Sequence, residues 1–132
     1  MEIRDLSSEK IWKLYSELEA IAKQLAQESG SSLAIQHIEV ASKPALADPE
    51  IRKIIKQEAE KLGMTTLSLP SGAGHDAQEM ARIAPMGMIF IPSKDGISHA
   101  PEEYSSPEAI ANGANVLLHT LLELDRKLSS KK

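Results

Sequence analysis

Between Ser8 and Ser29 the apolar residues Ile11, Leu14, Tyr15, Leu18, Ile21, Ala22 and Leu25 recur every three or four positions, with Glu, Lys and Gln between them. That period predicts an amphipathic helix. Ser7 or Ser8 supplies a capping oxygen and Gly30 a left-handed stop. The pattern then changes. Leu33, Ile35, His37, Ile38 and Val40 alternate imperfectly, as in a strand with one covered face, and the alternation ends before Lys43-Pro44. If residues 2–5 are also a strand, residues 1–42 read as a β-α-β unit, whose open sheet edges leave it unstable alone.

Two prolines within residues 43–49 interrupt every hydrophobic period and mark a linker, so a domain boundary is expected there, with one part at 1–44 and another at 45–132. Asp48-Pro49-Glu50 has the order of an N-cap, a first helical residue and an acidic first turn. The helix it opens turns Ile51, Ile54, Ile55, Ala59 and Leu62 inward and stops at Gly63. Residues 65–69 read as a short strand. After the loop Pro70-Ser71-Gly72-Ala73-Gly74-His75, Asp76 and Glu79 have the D-x-x-E spacing of a capping box for a short helix through Ile83. The continuous apolar run at 86–91 predicts a strand buried on both faces. A second loop spans 93–105. Ser106-Pro107-Glu108 then caps a last helix carrying Ile110, Val116, Leu117, Leu121, Leu124 and Leu128. No internal repeat is evident.

Composition narrows the classes of function. A chain of 132 residues amounts to one domain or a piece of one. With 42% hydrophobic and 26% charged residues it has ordinary globular usage, which argues against disorder. Its four aromatics, Trp12, Tyr15, Phe90 and Tyr104, are too few for base-stacking platforms, and a net charge of -4 has the wrong sign for gripping phosphates. No nucleic-acid partner is expected. The absence of cysteine removes disulfides, thiolate metal sites and a Cys nucleophile, so any metal here must take His and carboxylate ligands. The first residues form no basic and apolar signal region, and no apolar run approaches the roughly 20 residues of a bilayer span. The expectation is a cytoplasmic protein with no membrane partner.

Two loops carry the candidate chemistry, and each follows an expected strand. In Ser71-Gly72-Ala73-Gly74-His75-Asp76-Ala77 the glycines permit close backbone approach to a ligand, and His75 can polarise a carbonyl. The plainer alternative is a glycine-rich connection with an ordinary exposed histidine. In the second loop, Asp95-Gly96-Ile97-Ser98-His99-Ala100-Pro101-Glu102-Glu103-Tyr104, His99 is a candidate zinc ligand with carboxylates at hand to orient it. One histidine is not a site, and His37 and His119 have no ligand spacing to the loops. By the same standard Arg4 is a solvated or paired surface charge. Spacing alone assembles no complete metal centre.

These two loops, the apolar segment Gly87-Met88-Ile89-Phe90-Ile91-Pro92-Ser93 that joins them, and Met1-Glu2-Ile3-Arg4-Asp5 ahead of the first helix together resemble one family. It is the N-carbamoyl-L-amino-acid hydrolase, allantoate amidohydrolase and beta-ureidopropionase branch of the metal-dependent aminoacylase and carboxypeptidase superfamily. The resemblance runs over essentially the whole chain, which corresponds to the C-terminal third of such proteins. It implies an α/β fold: a β-α-β half of a ferredoxin-like lid and dimerisation domain in residues 1–44, then the C-terminal α/β part of a zinc-exopeptidase-like catalytic domain in 45–132. The implied activity is hydrolysis of a linear C–N bond in a small carbamoyl or ureido acid by the full-length protein, at two divalent ions (Zn, Mn, Co or Ni). His99 resembles the last metal ligand. His75 resembles the histidine that bonds the developing oxyanion, Gly74 the glycine whose N–H holds the substrate carboxylate, and Arg4 the lid arginine that pairs with it. The H-x-D motif, the paired glutamates and a further ligand histidine would lie in a missing N-terminal part. Alone, the chain is therefore expected to be inactive. The implied assembly is a homodimer through the lid, and the alternative reading is a non-catalytic fragment or subunit that works only with an N-terminal partner.

Overall fold

The computed structural model describes residues 2–36 and 43–130. The chain divides into two compact units, Met1–Leu46 with Pro70–Arg82, and Ala47–Leu69 with Ile83–Lys132.

The first unit is built on helix α1, Ser8–Ser29, with the bounds that the hydrophobic period predicts. Ser7 Oγ accepts from Lys10 N, and Gly30 closes the helix at φ 65°, where its N–H meets the last carbonyls. One stripe of α1, containing Ile11, Tyr15, Leu18 and Ala22, is half-covered, whereas Trp12, Leu14, Ile21 and Leu25 are exposed. Trp12 and Tyr15 meet edge to face with ring centroids 5.8 Å apart.

The second unit holds α2, Pro49–Lys61, and α4, Pro107–Ser129, packed on each other. Asp48 Oδ1 accepts from the N–H groups of Glu50 and Ile51, and Ser106 Oγ from Ala109 N, so both helices begin on the caps that the sequence announces. The buried residues Ile54, Ala59, Val116, Glu58 and Thr120 all lie on this pair of helices. Lys61 closes on the buried Glu58 carboxylate at 2.6 Å. The segment before the second loop lies against both helices. A Cβ on Gly87 would collide with Ile51 Cγ2, and one on Gly113 with Ile91 Cγ2.

Several expectations need correction. None of residues 2–5, 33–36, 65–69 and 86–91 forms a strand, because a strand is defined by its ladder and these segments find no ladder partner among the described residues. The β-α-β reading is therefore not realised here, and the expected strand residues 37–40, including His37, lie outside the described residues. Residues 86–91 are not buried on both faces: helices cover one side, while Phe90 stays 56% exposed. Helix α3 runs only from Asp76 to Met80, capped by His75 without a side-chain bond. Asp76 and Glu79 make no capping box. Glu79 instead pairs with Arg82 at 3.0 Å. In α4 the buried positions are Val116 and Thr120, with Gly113 half-buried on the same stripe, whereas Ile110, Leu117, Leu121 and Leu128 are exposed. The glycine at 113 lets Ile91 in on the small-residue side, which fixes the face that α4 turns inward.

Thr120 Oγ1 is buried with no hydrogen-bond partner among the described residues. Replacing that hydroxyl by a methyl of the same shape removes an uncompensated polar group. Thr120→Val should raise stability by about 1 kcal/mol, seen as a higher urea midpoint at unchanged slope. A lowered midpoint would mean that the hydroxyl has a partner in solution.

Candidate functional site

In the first unit the loop at 70–76 is organised by its own short-range bonds. Ser71 Oγ lies 2.7 Å from His75 Nε2 and also accepts from Ala73 N at 3.2 Å. The His75 backbone is extended, at φ -134° and ψ 148°, and its carbonyl accepts from Gln78 N at 2.8 Å. Ring and backbone of His75 are thus held separately. Gln78 Nε2 donates to the Lys43 carbonyl at 2.6 Å, tying the loop's helix back to the earlier chain.

Arg4 reaches this loop from 68 residues away: Nη1 donates to the Gly72 carbonyl at 2.6 Å and Nε to Glu2 Oε1 at 2.7 Å. The hydrogen bond from Arg4, reinforced by its charge, holds the Glu2 carboxyl below its ordinary value, and Glu2 in turn raises Arg4. Arg4 is therefore a paired charge placed at the rim of the glycine loop. Gly72 and Gly74 need explaining, because neither has positive φ and an added Cβ would meet nothing at Gly72 and only Gln78 Oε1, at 3.9 Å, at Gly74. Neither backbone conformation nor packing within the described residues demands a glycine there.

The second unit carries the His99 loop, which is braced differently. His99 is exposed and sits at φ 57°, a left-handed conformation that non-glycine residues rarely adopt, and its N–H donates to Glu103 Oε2 at 2.8 Å. Asp95, at φ 55°, lies within a 3-10 turn at Lys94–Gly96. Lys94 N to the Tyr104 carbonyl, Ser93 Oγ to the Ile97 carbonyl and Ser105 Oγ to the Pro92 carbonyl close the loop's base, at 2.8, 2.7 and 2.9 Å. A carboxylate near His99 is visible in the sequence, but its use is not: Glu103 accepts from the backbone and fixes a strained turn. His119 is an exposed residue of α4. Among the described residues no group of three or more His, Cys, Asp or Glu can hold a metal ion, so His99 offers one imidazole ligand and not a centre. No helix among the described residues is long and apolar enough to cross a membrane.

Residues 7–123 match peptidase family M20/M25/M40. The chain belongs to this family. Over 124 residues, 94% of the chain, it is 35% identical to an N-carbamoyl-L-amino acid amidohydrolase of Geobacillus stearothermophilus and 39% identical to a ureidoglycolate hydrolase of Arabidopsis thaliana. It spans 30% and 26% of those two proteins respectively. A crystal structure of AtUAH in complex with glyoxylate superposes with a TM-score of 0.70 at 42% identity, covering 83% of this chain and 26% of that one. The M20 relationship read from the two loops therefore holds, and the fold is related to theirs.

The Glu2–Arg4 pair gives this M20 chain a pH signature. A carboxyl lowered in the folded state adds stability above its unfolded pKa and loses it as the pH falls through the folded value. Because both groups are exposed, the effect should be small and salt-sensitive. The Glu2 carboxyl, followed by NMR, should titrate below ordinary glutamate in the wild type and return toward it in Arg4→Ala or at high salt. An unchanged midpoint would show that the pair does not persist in solution.

Proposed function

We propose that this chain is the C-terminal part of a metal-dependent amidohydrolase that cleaves a linear C–N amide bond of an N-carbamoyl-amino acid or a related ureido acid such as allantoate. The observation that carries this reading is the Arg4–Gly72 contact. It sets a guanidinium beside a loop whose glycines have no internal purpose and which ends in a fixed imidazole. Arg4 grips the substrate carboxylate with a planar fork after exchanging Glu2 for it, Gly74 N–H supports the same carboxylate, and His75 donates to the carbonyl oxygen as negative charge develops. His99 supplies one imidazole to one of two divalent ions, zinc, manganese, cobalt or nickel, with the other ligands outside this chain. Such ions, when bound, activate a water and polarise the scissile carbonyl.

In this reading residues 1–44 are half of a lid through which two copies associate in the cytoplasm, and 45–132 complete the catalytic domain. The segments at 2–5, 33–36, 65–69 and 86–91 take strand form when their partners are present. The names of the relatives support the reaction class, and the exposed Leu117, Leu121, Leu122 and Leu128 of α4 suit a face that more of the fold covers.

In the assembled enzyme Arg4→Ala should raise KM about 10- to 100-fold, the worth of a charge-assisted contact, with kcat little changed. Arg4→Lys should recover part of the loss. His75→Ala should instead lower kcat by about 100-fold or more with metal retained. Equal Arg4→Ala penalties for substrates with and without a carboxylate would refute the assignment.

A second reading, a non-catalytic piece that works only with an N-terminal partner, is favoured by the single candidate ligand. Purified residues 1–132 should release no ammonia or amino acid from carbamoyl substrates. Turnover that survives purification and is abolished by chelation would reject that reading.

A further inference from the structure

The hydrogen bonds around Ser71 specify more than a loop shape. A serine hydroxyl has one proton to give and two lone pairs. One lone pair of Ser71 Oγ receives the Ala73 N–H, and an oxygen that accepts from an amide becomes a better donor. The nearest nitrogen of His75, Nε2, stands 2.7 Å away in a half-buried position, four residues on in the same loop. A neutral imidazole accepts only at its unprotonated nitrogen. We propose that Ser71 is a positioning residue for His75: its Oγ–H donates to Nε2 and holds the ring in the tautomer that carries its proton on Nδ1. What the fixed tautomer is for rests on the reading of His75 as the donor to the substrate carbonyl. The tautomer itself does not.

Two-bond ¹H–¹⁵N correlation spectra of the 132-residue chain, with the imidazoles neutral and no substrate present, separate the two readings. The His75 signals are identified by their loss in His75→Gln. The wild type should show Nδ1–H in at least about fivefold excess over Nε2–H, the bias of one ordinary net hydrogen bond. Ser71→Ala should remove the bias, and Ser71→Thr, which keeps the hydroxyl, should restore it. A wild-type ring that is mainly Nε2–H overturns the proposal without recourse to any variant. So does a tautomer ratio that Ser71→Ala leaves unchanged. A His75→Ala enzyme with wild-type turnover would remove the catalytic reading of His75 while the tautomer result stood.

Discussion

The second unit depends on two side chains that are absent. An apolar segment lies against α2 and α4, meeting Ile51 and Ile55 at Gly87 and pressing Ile91 into α4 at Gly113. A methyl group at either glycine would occupy space already filled by an isoleucine. Interiors packed at crystal-like density have no slack to absorb it. From this constraint follow the face that α4 turns inward, the burial of Ile54, Ala59 and Val116, and the presence of the second loop at the end of the same segment.

What was legible in the sequence divides by the range of the interaction. Helices close their hydrogen bonds within themselves, and their ends are marked by residues such as Ser7, Asp48, Ser106 and Gly30, so α1, α2 and α4 could be read almost to the residue. Strands need a neighbour, and the apolar runs at 65–69 and 86–91 carry no information about whether one is present. The inward face of helix α4 was not legible for a related reason. It has a leucine stripe and a small-residue stripe, and hydropathy favours the leucines, whereas the partner on hand fits the small residues. At Asp76 the D-x-x-E spacing led to a capping box that does not form, because His75 takes the cap position with its extended backbone and Glu79 pairs with Arg82.

The candidate site shows the same division. The resemblance assigns Arg4 and Gly74 to one substrate carboxylate, which no period or spacing could suggest, and the contact between Arg4 and the Gly72 carbonyl, 68 residues away, had no signal in the sequence pattern either. The left-handed backbone at His99 had no signal of its own. Its only trace was Glu103 four residues later, and a glutamate there is equally a solvated charge until its carboxylate is seen on the His99 N–H.

The bonds nearest the imidazole of each histidine loop have short sequence reach: Ser71 to His75, Ala73 to Ser71, His99 to Glu103 and Ser93 to Ile97. The large apolar side chains that remain exposed, such as Trp12, Leu67, Ile83, Phe90 and Leu122, lie outside these two loops. Positioning of chemistry and covering of apolar surface therefore fall to different residues. Bonds that close within five residues cost little loop entropy, so the immediate setting of each imidazole is local even though Arg4 and Lys43 also tie the first loop to distant chain. Apolar faces act in the opposite way, contributing only when another surface arrives and specifying no atom's direction. Substitutions in the loops should consequently alter chemistry at constant assembly, and substitutions on the faces should alter assembly while leaving the histidines as they are.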